Sequence, residues 1–113
     1  VDIRFEQLPS GVALIRLKGR LDIMGAMKID VQFAAVTAAN RAVVVDLGEV
    51  EFLASMGLRT LIMAAKSMRS KSGRMVLYRP LPLVEEVLVT SGTTTFLPVR
   101  HDLAEAEAEA QAA

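Results

Sequence analysis

The 113 residues amount to a single domain, 52% apolar and 23% charged, long enough to bury a core without covalent staples. There is no cysteine, no tryptophan and one tyrosine, which excludes a disulfide framework and a thiolate metal site and argues against aromatic platforms for single-stranded nucleic acid. A formal net charge of zero leaves no global field to attract nucleic acid or an anionic membrane. With no apolar run approaching the ~18 residues of a membrane span and no basic leader, the expectation is a cytoplasmic protein that does not insert directly into membranes.

In chain order, residues 3–8 and 12–19 read as two strands around a turn at Pro9, Ser10 and Gly11. Residues 22–40 read as a helix capped by Asp22 and stopped at Asn40, with Ile23, Ala26, Met27, Asp30, Val31 and Ala34 recurring every three or four positions. Residues 41–48 form the clearest strand. The uninterrupted run Ala42, Val43, Val44 and Val45 predicts a central strand buried on both faces of a mostly parallel sheet, with Asp46 emerging at its end. Residues 55–73 form the clearest helix: Leu58, Leu61, Ile62, Ala65 and Met68 make one stripe, and Gly73 is the expected residue just past the end. That leaves Arg59, Met63, Lys66 and Ser70 on the outer side, with Met56 at its start.

A short strand (74–79), a short helix (81–92) and an edge-like strand (94–99) that contains Pro98 follow. The last stretch, 102–113, is rich in alanine and glutamate, with high helix propensity and a weak apolar face. The order ββαβαβαβα predicts an α/β domain spanning 1–113, with a mostly parallel mixed sheet of about five strands whose first strand is antiparallel to the second. Charge is segregated along it. Between residues 52 and 84 every charged side chain is basic: Arg59, Lys66, Arg69, Lys71, Arg74 and Arg79. This is either a solvated face or a basic surface for a partner.

Catalytic chemistry is sparse. The chain lacks a phosphate-binding glycine loop, a dinucleotide fingerprint and a nucleophile elbow, so no cofactor is expected. The lone histidine, His101, lies beside the acidic tail and reads as a surface residue, and zinc would lack a second ligand of its kind. Asp22, Asp46, Glu49 and Glu51 lie near strand ends and could meet as paired carboxylates, although caps and loop charges are the commoner role. The inventory favours a binding protein over an enzyme.

Ser55 opens the strongest helix. The plain reading is an N-cap contributing ~1 kcal/mol, without a capping-box partner because Leu58 holds that position. The alternative is phosphorylation, since a helix N-terminus tolerates a phosphate. The residue types alone favour the cap.

Three segments change that balance. Residues 17–22, LKGRLD, resemble the L-x-G-x-L-D that ends the second strand of STAS domains. Residues 43–66, VVVDLGEVEFLASMGLRTLIMAAK, resemble that family's strand–loop–helix segment, close to DLS-x-V-x-F-[IL]-D-S-S-G-L. Residues 75–99 resemble its next strand, a short helix closing near Ser91 and Gly92, and a final strand. The resemblance implies an anti-sigma factor antagonist or a relative. In that family a kinase-type anti-sigma factor phosphorylates the serine that Ser55 matches. Gly57 and Leu58 match the G-L, and Asp22 matches an acidic residue near the phosphorylation site. Ala54 stands where the family has aspartate, and Met56 where it has a small hydroxyl residue. What the resemblance implies is a docking tip made of Asp22, Met24, Leu53, Ala54, Met56, Gly57, Arg59, Met63 and Lys66 around Ser55. A serine phosphatase would reset the modified form, and the protein would be a monomer or weak dimer. The rival reading is a STAS subunit of an ATP-driven lipid-transport complex, which uses the same surface on a transporter ATPase without a phosphate cycle.

Overall fold

In a computed structural model that describes residues 1–112, the apolar run at 42–45 lies at the centre of a five-stranded sheet ordered β1-β2-β3-β4-β5. The strands are β1 (Asp2–Gln7), β2 (Ala13–Leu21), β3 (Ala42–Leu53), β4 (Arg74–Tyr78) and β5 (Val99–Arg100). β1 is antiparallel to β2, and all other neighbours are parallel. The helices are α1 (Ile23–Ala39), α2 (Ser55–Ser70), α3 (Pro82–Thr90) and α4 (Leu103–Gln111). The turn between β1 and β2 closes through Leu8 and Gly11, whose φ of 90° suits glycine.

Burial follows the pleat of β3. Val43 and Val45 face a core built with Ile29 and Phe33 of α1, Leu61 and Met68 of α2, and Val84 and Leu88 of α3. Val44 faces the other side, where Val12, Leu14 and Val76 lie under Ala106 and Ala110 of α4. Val43 and Val44 are both fully buried, so the central strand is covered on both faces as its sequence predicts. The alanines of α4 supply little apolar area. Polar ties hold it as well: Glu109 pairs with Arg74 and with Arg100 at 2.7 Å, and Ser10 donates to Glu107 at 2.6 Å.

Several expectations need correction. The segment 94–99 is not one strand: Thr93–Thr95 form a 3-10 turn, and β5 begins only after Pro98, which has no N–H to donate. β3 runs on to Leu53, so Asp46 lies in mid-strand. It is buried and held by both Arg79 (2.9 and 3.0 Å) and the Gly48 N–H (2.9 Å), well before the tip that carries Ser55. On α1 the inward face is Gly25, Ala26, Ile29, Phe33, Val36 and Thr37. Ile23, Met27 and Val31, which belong to the three-four spacing that marks the helix in the sequence, are exposed. α2 closes in a Schellman arrangement, with Gly73 N–H bonded to Met68 O at 2.7 Å and Ser72 N–H to Arg69 O at 3.1 Å. Its left-handed residue is Ser72 (φ 62°), not Gly73. Gly73 suits the next position, where a Cβ would sit tightly against the carbonyl oxygens of Arg41 and Met68.

Candidate functional site

The first turns of α1 and α2 both converge on the end of β2. A Cβ at Gly25 would overlap the Arg20 carbonyl oxygen, and one at Gly57 the Leu21 carbonyl oxygen. Ala54 N–H donates to Leu21 O at 3.0 Å, fastening the β3–α2 corner to the same strand end. Asp22 caps α1 by accepting from Gly25 N–H at 2.9 Å, as expected from sequence, and pairs with Arg20 at 3.6 Å. The Gly25 hydrogen bond, aided by the Arg20 charge, holds the Asp22 carboxyl below its ordinary value. Its oxygens are thus committed to the α1 cap and to Arg20. Arg20 also lies over the ring of Phe52, 4.3 Å from the centroid, a contact that no periodicity in the sequence announces.

Ser55 is not the cap of α2. Ala54 holds that position with extended backbone and no side-chain hydrogen bond, and Ser55 is the first helical residue. Ser55 is exposed, and among the described residues no hydrogen bond engages its hydroxyl. The N–H groups of the first turn therefore lack a side-chain acceptor, and no acidic residue lies in that turn. The hydroxyl is free for chemistry or recognition.

The residues expected around Ser55 divide into two sets. Met24, Met56, Arg59, Met63 and Lys66 are exposed, and Asp22 and Ala54 are partly so. Leu53 and Gly57 are buried: the first packs in the core and the second allows α2 to approach β2 closely. They position the tip and present no side chain to a partner. The outer side of α2 is as expected, with Met63 at 55% and Met56 at 40% exposure. Beside it, α1 adds Met24 at 76%, Met27 at 69% and Val31 at 82%. Sequence reasoning missed Met27 and Val31 because their spacing fitted a core stripe equally well.

The acidic residues near strand ends do not assemble. Asp46 is taken by Arg79, Glu49 lies 4.0 Å from Lys18, and Asp22 is in its cap. Among the described residues no group of three potential ligands could hold a metal. His101 is a surface residue, 2.8 Å from Glu85.

The family model described as "Mlab, STAS domain" matches residues 5–99. The chain belongs to the STAS domain family. BtrV of Bordetella bronchiseptica, named among the anti-sigma factor antagonists, is 34% identical over 92 residues, which cover 80% of this chain and 79% of BtrV. Among solved structures, an anti-sigma factor antagonist from Mycobacterium paratuberculosis superposes with a TM-score of 0.88 at 24% identity, covering 97% of this chain and 93% of that one. The Bacillus cell fate determinant SpoIIAA in its phosphorylated form gives 0.73 at 18% identity, covering 96% and 99%. A sulfate transporter family protein from Wolinella succinogenes gives 0.75 at 15% identity, covering 94% and 89%. At these identities the structural likeness establishes the STAS fold, in which a five-stranded mixed sheet presents Ser55 at the start of α2. Among the described residues no helix of this STAS domain is long and apolar enough to cross a membrane.

Proposed function

We propose that this STAS domain is a cytoplasmic, non-enzymatic anti-sigma factor antagonist that docks a kinase-type anti-sigma factor and is released when Ser55 is phosphorylated. The observation that carries this reading is the free, exposed hydroxyl of Ser55 at the first position of α2, beside exposed Met56, Arg59 and Met63. The similarity to BtrV supports it. In the transfer, Ser55 Oγ takes the γ-phosphoryl group of the partner's ATP, ADP leaves, and the hydroxyl proton passes to a base on the partner. The modification adds about −1.5 to −2 charge. In the free protein the uncapped N–H groups and dipole end of α2 accommodate that charge. In the complex the same dianion has to be desolvated against Met56 and its neighbours. Both effects favour the separated, phosphorylated state, and a loss of about 1.4 kcal/mol is already tenfold in affinity. A serine phosphatase restores the docking form.

Ala54 and Met56 favour a second reading, in which the same surface serves as a permanent subunit contact on a transporter ATPase. Pull-down from native extract, followed by intact mass of the recovered chain, separates the two. An anti-sigma factor partner and a phosphorylated pool that Ser55→Ala lacks support the first. A transporter ATPase bound to unmodified chain supports the second.

A further inference from the structure

A groove of about 490 Å³ lies between α1 and α2, and its occupant can be argued from its lining. Buried Phe33 and Thr37 form its floor, the short side chains of exposed Ala34 and Ala38 keep the α1 rim low, and Met56 and Met63 of α2 form a flexible wall. Asp30 and Arg59 also line it. The α2 side extends from Met56 to Ser67, about 16 Å at 1.5 Å per residue, or about three turns of a docked helix. Charge fixes the polarity of what fits. The α2 sequence contains no acidic residue, and Arg59, Lys66 and Arg69 are exposed along it, with Lys71 at its C-cap. Among the described residues none of these cations lies within ion-pairing distance of a carboxylate, whereas Arg74 and Arg79 are paired with Glu109 and Asp46.

We infer that the groove receives an amphipathic helix of the protein partner, its apolar ridge seated on Ala34, Ala38, Met56 and Met63 and its acidic flank facing Arg59 and Lys66, since Arg69 lies on the opposite side of α2 beside Gly73 and Pro98. The inference rests on the reading of the Ser55 tip as a partner surface, with which the groove is continuous through Met56. A recessed seam accepts a cylinder; a bilayer, being a plane, would leave its floor uncovered. Helix-in-groove recognition by apolar anchors at helical spacing has this geometry.

The test uses the full chain with ¹³C-methyl-labelled methionine and two synthetic amphipathic helical peptides, identical except that glutamates flank the leucine ridge in one and lysines in the other. The glutamate peptide should shift the Met56 and Met63 methyl signals and leave buried Met68 and Met75 in place. It should bind at least about tenfold more tightly than the lysine peptide, and Arg59→Glu with Lys66→Glu should erase that preference. Unchanged Met68 and Met75 signals in the double variant show that it is folded. Equal binding of the two peptides, no shift at Met56 and Met63, or shifts confined to Met24 and Met27 would overturn the inference. So would phosphatidylglycerol vesicles that perturb these methyls when neither peptide does. Phosphate transfer to Ser55, read separately by mass, distinguishes the two proposals. Transfer without peptide binding sinks the groove alone, and peptide binding without transfer sinks the phosphate switch alone.

Discussion

Ala54 occupies the position where a side-chain oxygen would complete the first turn of α2, and it offers only a methyl group. Replacing it should be felt as stability: Ala54→Asp is expected to raise the unfolding free energy by about 1 kcal/mol, read as a higher urea midpoint at unchanged slope. No gain would mean that the first-turn N–H groups are already satisfied. Asp22 makes the opposite case, a cap that is present. Its carboxyl is held below the ordinary 3.8 by the Gly25 N–H and by Arg20. The cap's contribution is therefore full above the ordinary value and is lost as pH falls through the lowered folded value. Acidification across that window should lower the urea midpoint of the wild type, and Asp22→Asn should remove that part of the dependence. An identical pH profile in the variant would show that the Asp22 shift has no weight in folding. These two residues also mark what could be read in advance. The Asp22 cap was legible because aspartate before a helical run has few other uses. The Ser55 cap was misplaced by one position, because a hydroxyl at the first helical residue and one at the cap look alike until the backbone angles of Ala54 are known.

At the scale of elements, α1 shows where periodicity stops informing. Its 17 residues are apolar nearly all round, so Ile23, Met27 and Val31 fit a three-four spacing as well as Ile29, Phe33 and Val36 do. What decides between the sets is the place of α1 against the sheet, where Phe33 and Ile29 are sunk to 1% and 0% exposure. The two sets should differ sharply on mutation. Phe33→Ala should cost about 3–5 kcal/mol through the lost contacts and the cavity left behind. Val31→Glu should change stability by no more than about 0.5 kcal/mol, as surface substitutions usually do. Thermal midpoints of both variants check this, and a large loss in Val31→Glu would mean that α1 packs by its other side. The final strand was overread for a related reason. Thr94, Thr95, Phe96 and Leu97 have strand-like side chains, yet Gly92 at φ 78° and the hydrogen bonds back to Thr93 turn the chain into a 3-10 segment before Pro98.

For the whole molecule, alternation of strands and helices was enough to order the chain, since short right-handed crossovers onto a buried central strand leave few other arrangements. The proposed docking surface was less legible: it depends on surfaces brought together from α1 and α2, which are separated in sequence by β3. Two whole-molecule properties should respond independently there. Met56→Glu should leave the thermal midpoint within a few degrees of wild type, because Met56 is exposed. It should weaken binding to the proposed anti-sigma factor partner by at least about tenfold, because a charge is then buried on docking. Normal partner affinity, or a collapse of the fold, would remove Met56 from the docking tip.

The most direct measurement combines modification with affinity. The chain is incubated with the kinase-type anti-sigma factor proposed as its partner and ATP, weighed intact, and titrated against that protein before and after. The expected result is a single added phosphate, none in Ser55→Ala, and a fall in affinity of the modified protein by at least about tenfold. Phosphate retained by Ser55→Ala, no phosphate on the wild type, or undiminished binding by the Ser55-phosphorylated form would contradict the account.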